Sequence, residues 1–395
     1  MSGTLDKIYN STLLALNINS REIFRLQEQV ASGSRLNRPS DDPSAAYRVL
    51  NLSSSQRSLE NYMENISQVS DVLQFATTAI DEMKTALADA KRLLGDVTGG
   101  VSGGVTLNVT IEGINDVIER IAAAANTQHS GKYIFGGSNT RTAPYLLTRE
   151  NGIITSVTYQ GSLQNRDITV SPGVNTSGFY VGEDLFRSNN RSEPVFTGQT
   201  GLSAGSGTSS VRGDVQMIVT HDGSNYRISI DAGLTETVVP VGGDSNLMVT
   251  DSRTGQVLYV NADPASMSTG NEWVQVPGTH DIFNTLINIR DKLQTEGGLT
   301  SSQMEELRSK AYQAIEEINT VLIQKSVEIG SKIGFLDSLK GNLQNVKYST
   351  DDEKARIEEA DIAQLAIDLA RREVLYQMSL AVSSRLISMS ILDYI

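Results

Sequence analysis

The sequence predicts an α+β protein. Long helices from the N- and C-terminal segments pair as an antiparallel helical bundle, a coiled-coil rod, and enclose an inserted, mainly β domain. Three observations predict this. Apolar residues recur at heptad spacing from Leu59 to Leu94 and again from Ile315 to Leu343. The apolar period falls to two at Gly131 and returns to helical spacing from about Asp281. A stop-and-start segment, Ala31 to Ala46, separates the first two helical patterns.

The first helix is expected from about Leu5 to Val30. Tyr9, Leu16, Ile23 and Val30 recur every seven residues, with Leu26 on the same seam and Thr12 and Asn19 interrupting it. Leu13, Leu14 and Ile18 widen its apolar face. So weak a stripe needs a partner to be ordered. The segment ASGSRLNRPSDDPSAA then ends one helix and begins another. Gly33 suits the positive φ of the residue just past a helix end. Pro39 lacks an amide donor and biases Arg38 away from helical geometry. Asp41-Asp42-Pro43 reads as a helix start: Asp42 is placed to accept from the amides of Ser44 and Ala45, and Pro43 fits the first helical position. Arg35 and Arg38 are placed to pair with the two carboxylates. A paired-carboxylate acid/base site is the weaker reading, because no His or Lys completes it.

From Leu59 the steps of three and four run without a miss through Tyr62, Ile66, Val69, Leu73, Ala76, Ile80, Met83, Leu87 and Ala90 to Leu94. Five heptads are a coiled-coil seam, and a helix from Pro43 to Leu94 would be roughly 78 Å long. Gly95 and the glycines after it end it. Leu107, Ile111, Ile114, Ile118, Ile121 and Ala125 predict a third helix folding back antiparallel, weakened at Gly113 by about 1 kcal/mol relative to Ala.

Residues 131–280 alternate apolar and polar residues between turns, with Asp222-Gly223 and Thr254-Gly255 as hairpin turns. Thr197 to Ser210 reads as a flexible surface loop. A short helix follows over Ile282, Leu286, Ile289 and Leu293. A long one is expected from about Ser302 to Val346, with Ile318, Leu339 and Val346 beside its seam, Lys325 and Lys332 interrupting it, and Gly330 and Gly334 spaced for close helix contact. Thr350-x-x-Glu353 and Asp361-x-x-Gln364 are capping-box signals. The last helix, Asp361 to about Leu392, is apolar almost all round from Val374, and Arg385 and Asp393 argue against a membrane span. A helix apolar all round must be buried in something. Its own chain could supply that cover, or neighbouring copies could. The expected assembly residues are Tyr9, Leu16 and Ile23 with Leu375, Met378, Val382, Leu386, Met389 and Leu392; the linker and cap residues are Gly33, Pro39, Asp41, Asp42 and Pro43. The nested organisation comprises a terminal assembly domain (1–42 with 361–395), a helical rod (43–130 with 281–360) and the β insert (131–280).

Composition narrows the function. A formal charge of -13 over 395 residues argues against nucleic acid or an anionic membrane as partner. The absence of cysteine removes disulfides, thiolate metal sites and thiol catalysis. The start has no basic segment followed by an apolar run, so no Sec-type signal is expected. Gly201-Leu202-Ser203-Ala204-Gly205 matches the nucleophile-elbow pattern but lacks its strand-and-helix flanks. His129, His221 and His280 have no metal-site spacing. No catalytic, cofactor or metal site is expected.

Three segments carry a resemblance: ASGSRLNRPSDDPSAA with the seam after it, SGKYIFGGSNTRTAPY over residues 130–145, and IEEADIAQLAIDLA followed by LYQMSLAVSSRLISMSILDYI. Over roughly residues 1–145 and 280–395 the chain resembles the flagellin family. That resemblance implies an axial structural protein, not an enzyme and without cofactor. It would be exported by the flagellar type III apparatus with a chaperone and assembled outside the cell. It would self-associate in a helical assembly beside a neighbouring hook-associated protein and flagellin, joining hook to filament or forming the filament itself. A binding module carried on a coiled-coil stalk is the rival from another class.

Overall fold

The computed structural model describes residues 2–97, 103–294 and 301–392. Two compact units divide the chain: Met1–Glu64 with Ser338–Ile395, and Asn65–Asp337. The helices are α1 (Ser2–Ser32), α2 (Pro43–Asp96), α3 (Gly103–Ala125), α4 (Gly182–Leu185), α5 (Ile282–Leu293), α6 (Ser301–Glu358) and α7 (Ile362–Leu392). Both unit boundaries fall inside uninterrupted helices, α2 and α6.

In the first unit, α1 and α7 pack antiparallel. Ser34 bridges Glu359 at one end, and farther along Arg372 donates to Asn19 at 3.2 Å, so partner numbers fall as numbers in α1 rise. The neighbouring parts of α2 and α6 run antiparallel too, with Arg48–Glu353 at 3.2 Å and Lys347–Glu60 at 2.7 Å. α6 does not stop near Val346. It continues to Glu358, and Thr350 lies in its interior with Oγ1 donating to the Val346 carbonyl at 2.8 Å. A capping box works only where the chain before it leaves helical geometry, and the α2–α6 pairing holds this stretch helical. Val346, expected beside the seam, is 51% exposed.

In the second unit the heptad seam forms the core. Ile66, Val69, Leu73, Ile80, Met83, Leu87 and Leu94 of α2, Ile114, Ile118 and Ile121 of α3, and Ile315, Leu322, Ile329 and Leu336 of α6 are all buried. α3 returns along α2, where Arg120 bridges Glu82 at 2.9 Å and Asp89 at 2.7 Å. Gly113 has a packing reason: a Cβ there would lie 2.7 Å from Leu93. Gly330 and Gly334 do not make the close helix contact expected of them, since neither would meet an atom within 4 Å.

The inserted strands are β1 (Gln128–His129), β2 (Lys132–Tyr133), β3 (Tyr145–Glu150), β4 (Ile153–Tyr159), β5 (Arg166–Ser171), β6 (Val174–Phe179), β7 (Val195–Phe196), β8 (Ser203–Ala204), β9 (Gly213–His221), β10 (Tyr226–Ser229), β11 (Thr237–Val238), β12 (Asp244–Thr250), β13 (Val257–Ala262) and β14 (Gly270–Val276). The first six make three hairpins. They lie against the helices: buried Arg290 of α5 donates to the Ile154 carbonyl at 2.6 Å, and Lys332 to the Ser177 carbonyl at 2.8 Å. The others form a sandwich of two sheets, β11-β10-β9-β14-β7 and β12-β13-β8, around Met217, Val219, Ile228, Val249, Leu258, Val260 and Val274. Both expected hairpin turns are present, between β9 and β10 and between β12 and β13. Ser203 lies in β8, paired to β13, which is not the geometry of a nucleophile elbow. Within the 130–145 segment Ile134 and Phe135 are fully buried, and a Cβ on Gly136 would lie 2.2 Å from the Asn139 carbonyl oxygen, so only glycine fits that turn.

Candidate assembly site

α1 ends as its sequence dictates. The Gly33 amide donates to the Gln29 carbonyl at 2.9 Å, and Gly33 takes φ +67°. Pro39 follows Arg38 in a turn closed by the Asp41 amide donating to the Arg38 carbonyl at 3.0 Å, the position where proline's fixed φ fits. The Asp41 carboxylate accepts from the amides of Asn37 at 3.2 Å and Arg38 at 2.9 Å, so it ties the turn together. Asp42 is the N-cap of α2: its Oδ1 accepts from Ala45 at 3.0 Å, and its carbonyl accepts the first helical bond from Ala46. The Ala45 amide, with help from Arg35, holds the Asp42 carboxyl below its ordinary range. Arg35 pairs with Asp42 at 3.3 Å, as expected, whereas Arg38 pairs with Glu28 at 3.2 Å.

Sequence reasoning missed the partner of this linker. The segment joining α6 to α7 pairs with it as a short antiparallel bridge: Arg35 N donates to the Glu358 carbonyl at 2.7 Å and Ala360 N to the Gly33 carbonyl at 3.1 Å. Buried Gln29 adds a hydrogen bond to the Arg35 carbonyl at 2.7 Å. The Asp361 carboxylate then caps α7 through the Gln364 amide at 3.0 Å, as its capping signal indicates. The two connectors are thus one hydrogen-bonded unit. A usable signal was the pair of cap motifs at similar distances from the two terminal seams.

Beyond the connectors, α1 and α7 meet along their seams. Leu16 and Ile23 are half-buried, and Leu26 is the best covered at 6% exposure. Asn19, read as an interruption, receives Arg372. A groove between the helices is lined by Ser11, Thr12 and Ala15 of α1 and by Leu375, Met378 and Val382 of α7. Met378 remains 60% exposed and Val382 51%, with Leu375 at 40%. The side chains of Tyr9, Leu386, Met389 and Leu392 lie outside those described. A two-helix pair covers one stripe on each member. α7 carries apolar residues on every side, so the rest of its surface stays open. Among the described residues no three His, Cys, Asp or Glu side chains gather as a metal site, and no helix is long and apolar enough to cross a membrane.

Long paired terminal helices and a chain reversal through an inserted β region define a class of protein. Residues 6–140 match the bacterial flagellin N-terminal helical region. Among similar curated proteins, flagellar hook-associated protein 3 of Salmonella typhimurium is 29% identical over 145 residues, 35% of this chain and 44% of that protein. The flagellar filament 41 kDa core protein of Borreliella burgdorferi is 28% identical over 163 residues, 40% of this chain and 48% of that protein. The matched stretch spans about half the length of these relatives. A solved flagellar hook-associated protein from Vibrio parahaemolyticus shares the fold at TM-score 0.51 and 14% identity, with 81% of this chain and 100% of that one covered.

Proposed function

We propose that this chain is a structural subunit of the bacterial flagellum that joins hook to filament and polymerises through its paired terminal helices. The observation that carries this reading is the open apolar face of α7 beside α1, where Leu375, Met378 and Val382 await cover. Axial neighbours of the same helical construction supply that cover, and burial of apolar surface at roughly 25 cal/mol per Å² drives the association. In this reading the side chains of Leu16, Ile23, Leu375, Met378 and Val382, with those of Tyr9, Leu386, Met389 and Leu392, are the assembly residues. Gly33, Pro39, Asp41, Asp42 and Pro43 fix the stop of α1 and the start of α2 beside the connector that leads into α7. The three-part division into terminal domain (1–42, 361–395), helical domain (43–130, 281–360) and β insert (131–280) belongs to the same proposal. So do the partners: a neighbouring hook-associated protein, flagellin, an export chaperone and the type III export apparatus, with assembly outside the cell.

The test replaces Met378 and Val382 with Asp together. Both side chains are exposed, so the free chain should keep its helical content and melting temperature. In the assembly each charge would be buried without a partner, at a cost of several kcal/mol. Cells carrying the double variant should export the protein, retain hooks and shed unassembled flagellin. Normal filaments would sink the assignment of α7. A filament-forming role is the second reading, favoured by the likeness to the Borreliella burgdorferi filament protein. Abundance separates the two: a filament subunit makes up the bulk of a sheared filament, a junction subunit only a trace.

A further inference from the structure

The chain contains no cysteine, so every sulfur atom in it is the thioether of a methionine. A thioether takes up oxygen readily where an oxidant can reach it. Burial divides the described methionines. Met83, Met217, Met267 and Met304 are buried, whereas Met378 is 60% exposed and Met248 52%. Met248 faces outward on β12, because its neighbours Leu247 and Val249 turn into the sandwich core. Met378 lies on α7, in the groove that this helix forms with α1.

Leu375 stands one turn before Met378 and Val382 one turn after it, so all three share a face of α7. The Met378 sulfur thus sits in the middle of an apolar stripe that is open in the free chain. A thioether suits burial there, being apolar and polarizable. A sulfoxide does not, because oxidation makes the side chain polar and adds a strong hydrogen-bond acceptor. The hydroxyls that line the groove are already engaged. Ser379 Oγ donates to the Leu375 carbonyl at 2.8 Å, and Ser11 and Thr12 have partners of their own. A sulfoxide oxygen covered at this point would lose its water without gaining a donor, which is unfavourable for any buried acceptor.

We infer that Met378 is an oxidation site that controls assembly: a peroxide converts its thioether to the sulfoxide, and the oxidised subunit is shut out of the axial contact. A sulfur lone pair attacks one peroxide oxygen as the O–O bond breaks. The sulfur is oxidised by two electrons, and the other oxygen leaves as water after taking the proton of the oxygen transferred. A methionine sulfoxide reductase reverses the change. Assembly protects the residue, since a neighbour that covers the stripe also covers the sulfur; the subunit is vulnerable only before it is built in. The inference rests on the assembly reading of α7. Met248 provides the contrast, because it is nearly as exposed but lies in the β insert, away from that stripe.

The test treats the full chain with hydrogen peroxide and reads chemistry and assembly on the same samples. Peptide mass spectrometry should find sulfoxide forming at Met378 and Met248 at least tenfold faster than at Met83 or Met217. Added to hook-bearing cells that lack the protein, the untreated chain should restore filaments. Chain fully oxidised at Met378 should restore at least tenfold fewer, and methionine sulfoxide reductases should bring them back. Met248→Leu should be as sensitive to peroxide as the unaltered chain. Met378→Leu should lose less than twofold on treatment, measured against its own untreated level. Oxidation of Met378 no faster than of Met83 would overturn the inference. So would oxidised chain that restores filaments as well as untreated chain, or a Met248→Leu variant that peroxide no longer affects. If the untreated chain restores no filaments, the assembly reading falls and the inference with it; equal assembly before and after oxidation removes the inference alone.

Discussion

Gly33 shows what a single residue decides. It holds φ +67°, and a Cβ built there meets no atom within 4 Å. Any cost of substitution is therefore conformational. Gly33→Ala should destabilise the first unit by about 1–2 kcal/mol, the penalty of the left-handed region for an L-residue, and Gly33→Asn by less; urea denaturation followed by circular dichroism measures both. His280 is the second such residue. It is 1% exposed, with Nδ1 3.0 Å from Glu317 and Nε2 3.5 Å from Asp214. Burial alone would lower its pKa, but the two carboxylates outweigh that and raise it to about 9 from the ordinary 6.5. The folded state thus holds the proton more tightly than the unfolded chain. Its stabilisation is fully present below pH 6.5 and is lost as pH rises through about 9, on the order of 3 kcal/mol in all. Lys292 opposes it at the upper end: burial lowers that lysine to about 8, so its contribution rises with pH above that value. The melting temperature should therefore fall from pH 6.5 to 8, hold level to about 9 where the two contributions cancel, and rise above it, and His280→Gln should remove the fall. The linker glycine was legible in the sequence because a stop signal is local. His280 showed in the sequence only as a histidine without metal-site spacing, since Asp214 and Glu317 lie far from it along the chain.

Two glycines separate element from environment. Gly113 and Gly330 both lie inside helices, where Gly costs about 1 kcal/mol relative to Ala. At Gly330 a methyl group meets nothing within 4 Å, so Gly330→Ala should stabilise by roughly 0.5–1 kcal/mol. At Gly113 the same methyl would lie 2.7 Å from Leu93 Cδ1, and the overpacking offsets or exceeds the gain. Gly113→Ala should be neutral to destabilising, and the pair Gly113→Ala with Leu93→Ala should show non-additive coupling in denaturant melts. The long helices were read correctly, because a seam sustained for many turns is a strong periodic signal; the four-residue α4 inside the insert carries no such seam and was not. The end of α6 was not, because the Thr350 signal competes with a helix partner that only the fold supplies.

The largest deletion the molecule should tolerate is set by where its hairpins pack. Ser192 N donates to the Pro277 carbonyl at 2.9 Å, so the two ends of the sandwich are adjacent. Replacing residues 195–276 with a short Gly-Ser linker should leave helical content and α-helical melting largely intact. Extending the deletion back to residue 150 should not be tolerated: it removes the Ile154 carbonyl from Arg290, which is 1% exposed, and leaves a buried guanidinium short of partners. Circular dichroism of the two deletions distinguishes them. If both lose their helical signal equally, the separation of hairpins from sandwich is wrong.

Sequence alone determined the long helices, the stop and start at Gly33 to Pro43, the alternation of the insert and the surplus of apolar residues on α7. Each is a local or periodic property, carried by backbone preference and by which side chains water rejects. Only the tertiary structure decided that the two connectors pair through Arg35 and Glu358, that the first three hairpins sit against helices while the rest form a sandwich, and that Asp214 and Glu317 close on His280. Those are contacts between residues up to hundreds of positions apart. Spacing along the chain carries no record of them, because the energy that selects them comes from desolvation and hydrogen bonding in three dimensions.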